Sequence, residues 1–177
     1  MVGKPSVALA EFDTAGEIYH ACEHVRDAGF SRWDAHTPFP VHGLDKAMGI
    51  GRSRVPWIAL VCGFTGAGLA FWLQAWVHST AYPLVINAKP YMSWQAYIPV
   101  TFEVGVLFTA LGTLIGMLVL NRLPQHYNSL FKSARFERST DDKFFISIAA
   151  DDPRFRGEET LRFLQGLGAS HVELIED

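Results

Sequence analysis

His20-Ala21-Cys22-Glu23-His24 sets two imidazoles one helical turn apart with a carboxylate beside them. This is the inverted zinc-peptidase string, in which the imidazoles hold the metal and the acid moves a proton. Zinc chemistry also needs a third ligand delivered by the fold. On a helix, His20 and His24 project opposite the stripe formed by Ile18, Cys22 and Val25, toward solvent. No metal site is expected, and His20 and His24 are the residues that would begin one.

Glu103 is the one carboxylate in the apolar window Ala96 to Leu120. A charged acid at the centre of a spanning helix costs about 2.5–3.5 kcal/mol on insertion scales. Two readings follow: a proton-relay or quinone-site carboxyl, or a neutral acid hydrogen-bonded to Gln74, Thr101 or a partner helix. A relay needs several aligned protic groups, and the two apolar windows hold no second acid, Lys or Arg. The expectation is a packing role for Glu103, with Gln74 as the other notable polar residue.

The string GFTGAG, Gly63 to Gly68, looks like a phosphate loop, but such a loop needs a preceding strand and an anion within reach of backbone N–H groups. An apolar window offers neither. Gly63/Ala67, Gly66/Ala70 and Gly112/Gly116 are small-xxx-small pairs that let helix backbones approach. Gly63, Gly66, Gly68, Gly112 and Gly116 are read as helix-packing positions. There is no Ser/His/Asp order or nucleophile elbow in a recognisable context, so no catalytic residue is expected. CxxC and CxxCH are absent, so no haem or iron–sulfur cluster is expected in this chain.

The elements that must position these residues follow from composition. The 177 residues are 49% hydrophobic and 19% charged, with mean hydropathy +0.13, too apolar for an ordinary soluble domain. The formal net charge of -3 argues against nucleic acid. Val55 to Val77 carries no charge, and it and Ala96 to Leu120 each exceed the roughly 20 residues needed to cross a bilayer. Lys46, Arg52 and Arg54 precede the first window, Arg122, Lys132, Arg135 and Arg138 follow the second, and the loop between has only Lys89. Both termini are expected on the cytoplasmic side of the inner membrane. The opening MVGKPSVALAEFD has no apolar h-region, so the first span is expected to be its own targeting element. Cys22 and Cys62 fall in a reducing compartment and in lipid, where a disulfide is not expected.

The flanks share one plan. Ser6–Phe12 reads as strand, about Ala15–Ala28 as helix with Asp13 or Thr14 as N-cap, Gly29 as stop and Phe30–Ala35 as strand. Lys143–Ala149, about Glu158–Leu167, Gly168 and Ser170–Ile175 repeat it. Adding 139 to the residue number takes Asp13 to Asp152, Gly29 to Gly168, Val25 to Leu164, Val7 to Ile146 and Leu9 to Ile148. Two βαβ halves that interleave make a ferredoxin-like, four-stranded antiparallel sheet with both helices on one side. Its other face is expected to be open to a partner. The expected fold is α+β plus membrane α: residues 1–36 and 142–177 as the halves, linkers 37–54 and 122–141, transmembrane helices 55–78 and 96–121, and a periplasmic loop 79–95. Both linkers are expected to be connectors or a docking surface with a basic, headgroup-facing rim.

HTPFPVHGLDKAMG (His36 to Gly49), YPLVINAKPYMSWQAYIPVTFE (Tyr82 to Glu103), NRLPQHYNSLF (Asn121 to Phe131) and STDDKFFISI (Ser139 to Ile148) stand in this order around a glycine-rich span. In these strings the chain resembles the ActD subunits of alternative complex III, a bacterial membrane-bound quinol:electron-acceptor oxidoreductase of electron-transport chains. The resemblance implies a two-span accessory subunit. Its partners would be the other membrane and peripheral subunits and lipids, with haem c and iron–sulfur clusters in partner subunits and quinol oxidised elsewhere. It carries no catalytic residue onto this chain. The rival readings are a membrane-tethered metal or ligand sensor using His20 and His24, and a proton-conducting subunit using Glu103.

Overall fold

The structure, a computed structural model, describes residues 5–85 and 88–176. The first four residues of the opening read above for a signal segment, Ile86 and Asn87 of the loop between the spans, and Asp177 lie outside the described residues. The chain divides into two compact units, one built from residues up to Gly51 and from His126 onward, the other from Arg52–Gln125.

In the first unit β1 (Pro5–Phe12) runs into α1 (Ala15–Asp27), which begins at a complete capping box. Thr14 accepts from the Glu17 amide while the Glu17 carboxylate accepts from the Thr14 amide. Gly29 ends the helix with φ of +79°, a conformation open to glycine without a Cβ penalty. β2 is Trp33–His36, shorter than the expected Phe30–Ala35, because the amides of Ser31 and Arg32 are taken by the Asp152 carboxylate at 2.7 Å each. A four-residue helix, α2 (Leu44–Ala47), lies in the Gly- and Pro-rich segment that follows. The second flank supplies β3 (Phe144–Ala149), α5 (Glu158–Gly166) and β4 (His171–Glu176). The four strands form one antiparallel sheet in the order β2-β3-β1-β4. Its two central strands therefore come from opposite flanks.

Alternation along the strands sorts side chains to two faces. Ala8, Ala10, Phe12, Phe144, Ile146 and Ile148 pack with Ile18, Cys22 and Val25 of α1 and Leu164 of α5. Val7, Leu9, Phe145 and Ile175 turn to the other face. That face was expected to be open, but Leu130 and Phe136 close over it, carried on short 3-10 segments at Ser129–Lys132 and Arg135–Thr140. Two apolar residues in a polar linker are enough to tie it down. Three of its cations are engaged as well: Lys132 donates to the Glu176 carbonyl, Arg135 pairs with Glu11, and Arg138 with Asp142.

The second unit is two long helices. α3 (Val55–Trp76), with Pro56 in its first turn, continues through a π-helical segment at Val77–Ala81, and α4 is Trp94–Leu120. Val55–Ala81 and Trp94–Leu120 are each 27 residues, with mean hydropathy 1.6 and 2.0, long and apolar enough to cross a membrane. Only 11% and 6% of their apolar windows are buried. A core helix of a soluble protein would bury most of that surface.

Candidate functional site

The seam between α3 and α4 is where the glycines act. Ile58 lies against Gly116, Cys62 against Gly112, Gly66 against Phe108 and Gln74 against Thr101, so the two helices run antiparallel. A Cβ built on Gly63 would stand 2.6 Å from Thr109 Oγ1. One on Gly66 would stand 2.6 Å from Phe108 Cβ and 2.9 Å from the Val104 carbonyl, and one on Gly116 2.8 Å from Ile58 Cδ1. At Gly66, where the neighbours are a Cβ and a backbone carbonyl, no side chain fits, so glycine there sets the spacing of the pair. Gly68 takes no part in this seam: a Cβ there meets nothing of this chain within 4 Å. Two residues from Gly66, it lies about 200° round the helix, on the exposed side. Gly105, absent from the sequence reading, belongs to the seam, its Cβ position 3.3 Å from Ala67 Cβ. The signal that could have found it is its spacing of seven residues from Gly112.

Polar side chains of the two helices find partners within the pair. Gln74 Nε2 donates to the carbonyls of Ala70 (3.1 Å) and Tyr97 (3.3 Å) and to Thr101 Oγ1 (3.3 Å). Thr65 and Thr109 donate to the carbonyls of Val61 and Gly105, both at 2.8 Å. Toward the loop, Tyr97 is 1% exposed, stacked on His78 at 5.3 Å, and its hydroxyl donates to the Tyr91 carbonyl.

Glu103 is not part of this network. The sequence reading offered Gln74, Thr101 or a partner helix to bond it; the first two bond to each other, and Glu103 is exposed. It lies two residues from both Thr101 and Gly105, about 200° round α4 from the face they share.

His20 and His24 are both exposed on α1, and His20 Nδ1 meets Glu23 Oε2 at 3.1 Å. Among the described residues no third ligand joins them. Cys22 is fully buried in the sheet core, where burial and then the charge of Asp34 push its thiol up to about 12, while Cys62 sits in α3 against Gly112.

No curated protein matches the chain. The family model described as alternative complex III, ActD subunit, matches residues 6–174. With nearly its whole length matched, this chain belongs to the ActD family of alternative complex III subunits.

Proposed function

We propose that this chain is a membrane-anchored accessory subunit of a quinol:electron-acceptor oxidoreductase and contributes no catalytic group of its own. One observation carries the reading: two spanning-length apolar helices meet through a glycine seam and leave their outer surfaces, with Phe64 75% and Phe102 70% exposed, apolar and uncovered. Lipid and neighbouring membrane subunits are the surroundings in which such surfaces are stable. Family membership supplies the complex.

The bias of Lys and Arg toward the outer flanks of the two helices supports an inner-membrane hairpin with both termini cytoplasmic. The sheet order β2-β3-β1-β4 supports reading the flanks, residues 1–36 and 142–177, as the two βαβ halves of one ferredoxin-like domain with the hairpin inserted between them. Haem c and iron–sulfur clusters belong, on this reading, to partner subunits. The lack of a CxxC or CxxCH string supports that division.

Purification in mild detergent through a tag on this chain tests the assignment. Haem absorbance and the other subunits are expected to co-purify; a lone colourless polypeptide overturns it. Cysteine labelling in intact cells tests the topology, since ends on opposite sides of the membrane exclude the hairpin.

A further inference from the structure

We infer that the face of α4 centred on Glu103 docks against a transmembrane helix of a partner subunit of different sequence, which donates a hydrogen bond to the carboxyl. The inference rests on the membrane reading above.

Within the helix pair, Thr65, Gln74, Thr101 and Thr109 find partners on their own chain. Glu103, the most polar of the set, forms no hydrogen bond or ion pair among the described residues and points away from α3. It stands about 13 Å along the helix from Trp94 and about 25 Å from Leu120, too deep for a short side chain to reach either surface. An acid in hydrocarbon without a partner is costly, and hydrocarbon tails offer no donor.

The same face carries Ala96, Pro99 and Ala110, seven and four residues before Glu103 and seven after, all exposed. Short side chains on both sides of the acid allow a second backbone to come close, with Val106 and Leu107 beside them as apolar contacts. A second copy of this chain sets acid against acid, a pairing that holds only while a carboxyl is protonated, whereas a helix with a fixed donor answers the acid in either state. The occupant is a helix with a Lys, Arg, His, amide or hydroxyl donor at the matching depth, and membership of a multi-subunit complex provides a partner of other sequence.

The test uses the intact complex. A photo-reactive phenylalanine in place of Ala110 and, separately, of Leu107 is expected to cross-link to a subunit other than this chain. Glu103→Leu is expected to weaken retention of this chain on the complex about three- to twentyfold, and Glu103→Gln, which keeps an acceptor, by less than about twofold. Adducts with lipid or with a second copy only, or equal retention of the Leu variant, overturn the docking. Cysteines at Glu103 and at the exposed α3 position Phe64 separate this from failure of the membrane reading. Phe64→Cys reacting with a lipid-soluble reagent alone keeps the span; both positions reacting with a water-soluble one overturn the span itself.

Discussion

The carboxylate of Asp152 accepts both the backbone N–H of Ser31, at 2.7 Å, and its hydroxyl, at 3.0 Å, joining the second flank of the chain to the first. It also accepts from the amides of Arg32 and Arg154 and is 5% exposed. Burial pushes this carboxyl up, but the hydrogen bonds outweigh it and hold it below the usual 3.8. The folded value is depressed, so its stabilisation is complete above about pH 4 and is lost as pH falls through the lowered value. Asp152→Ala strands donors and is expected to cost about 3 kcal/mol. Thermal unfolding of the complex and faster amide exchange at Ser31 and Arg32 are the readouts.

His36 predicts a second pH dependence, at milder acidity. Its ring meets Ser147 Oγ at 3.0 Å and stands edge-on to Phe136 at 5.0 Å; burial lowers its pKa from 6.5 against the upward pull of Asp34. The fold prefers the neutral ring. Stability from this residue is full above about pH 6.5 and declines as pH falls toward the lowered folded value. His36→Gln is expected to flatten the dependence of melting temperature on pH below about pH 6.5, which a pH series on wild type and variant measures.

Gly66 and Gly68 make a matched pair. Gly66→Ala drives a Cβ into Phe108 and the Val104 carbonyl and is expected to destabilise the helix pair by about 1–3 kcal/mol. Gly68→Ala meets open space and is expected to change little. Detergent stability of the two variants, read side by side, checks the difference.

Glu11, 4% exposed, pairs with Arg135 at 3.0 Å and Arg138 at 3.7 Å, fastening the second linker over the sheet. Glu11→Ala leaves both guanidinium groups half in water, so the loss is expected to be about 1–2 kcal/mol and local. Amide exchange over Arg135–Thr140 should rise while that of α5 stays near wild type.

Legibility followed the range of the cause. The stops at Gly29 and Gly168 were readable because a left-handed residue after a helix is a local demand, and both have positive φ, +79° and +89°. The capping box at Thr14 is equally local. The repeat by 139 residues holds for turns, helices and stops but fails in the strands. Val7 and Leu9 lie on the face opposite to Ile146 and Ile148, so the matched positions are one residue out of step with the faces of the sheet. The strap of Leu130 and Phe136 was not legible, because two apolar residues among polar ones have no period. The direction of Glu103 could have been read from helical phase once Gly105 was placed in the seam; the donor proposed for it belongs to another chain, and no pattern in this one would encode it.

Phe12 faces Phe144 across the centre of the sheet, and the whole apolar middle of the chain is synthesised between them. The first strand thus leaves the ribosome long before its neighbour exists and waits, unpaired, while the greasy segment finds its place. Completion of the sheet becomes a late event that reports on everything translated before it, and a polypeptide stalled midway exposes an orphan edge for quality control to recognise.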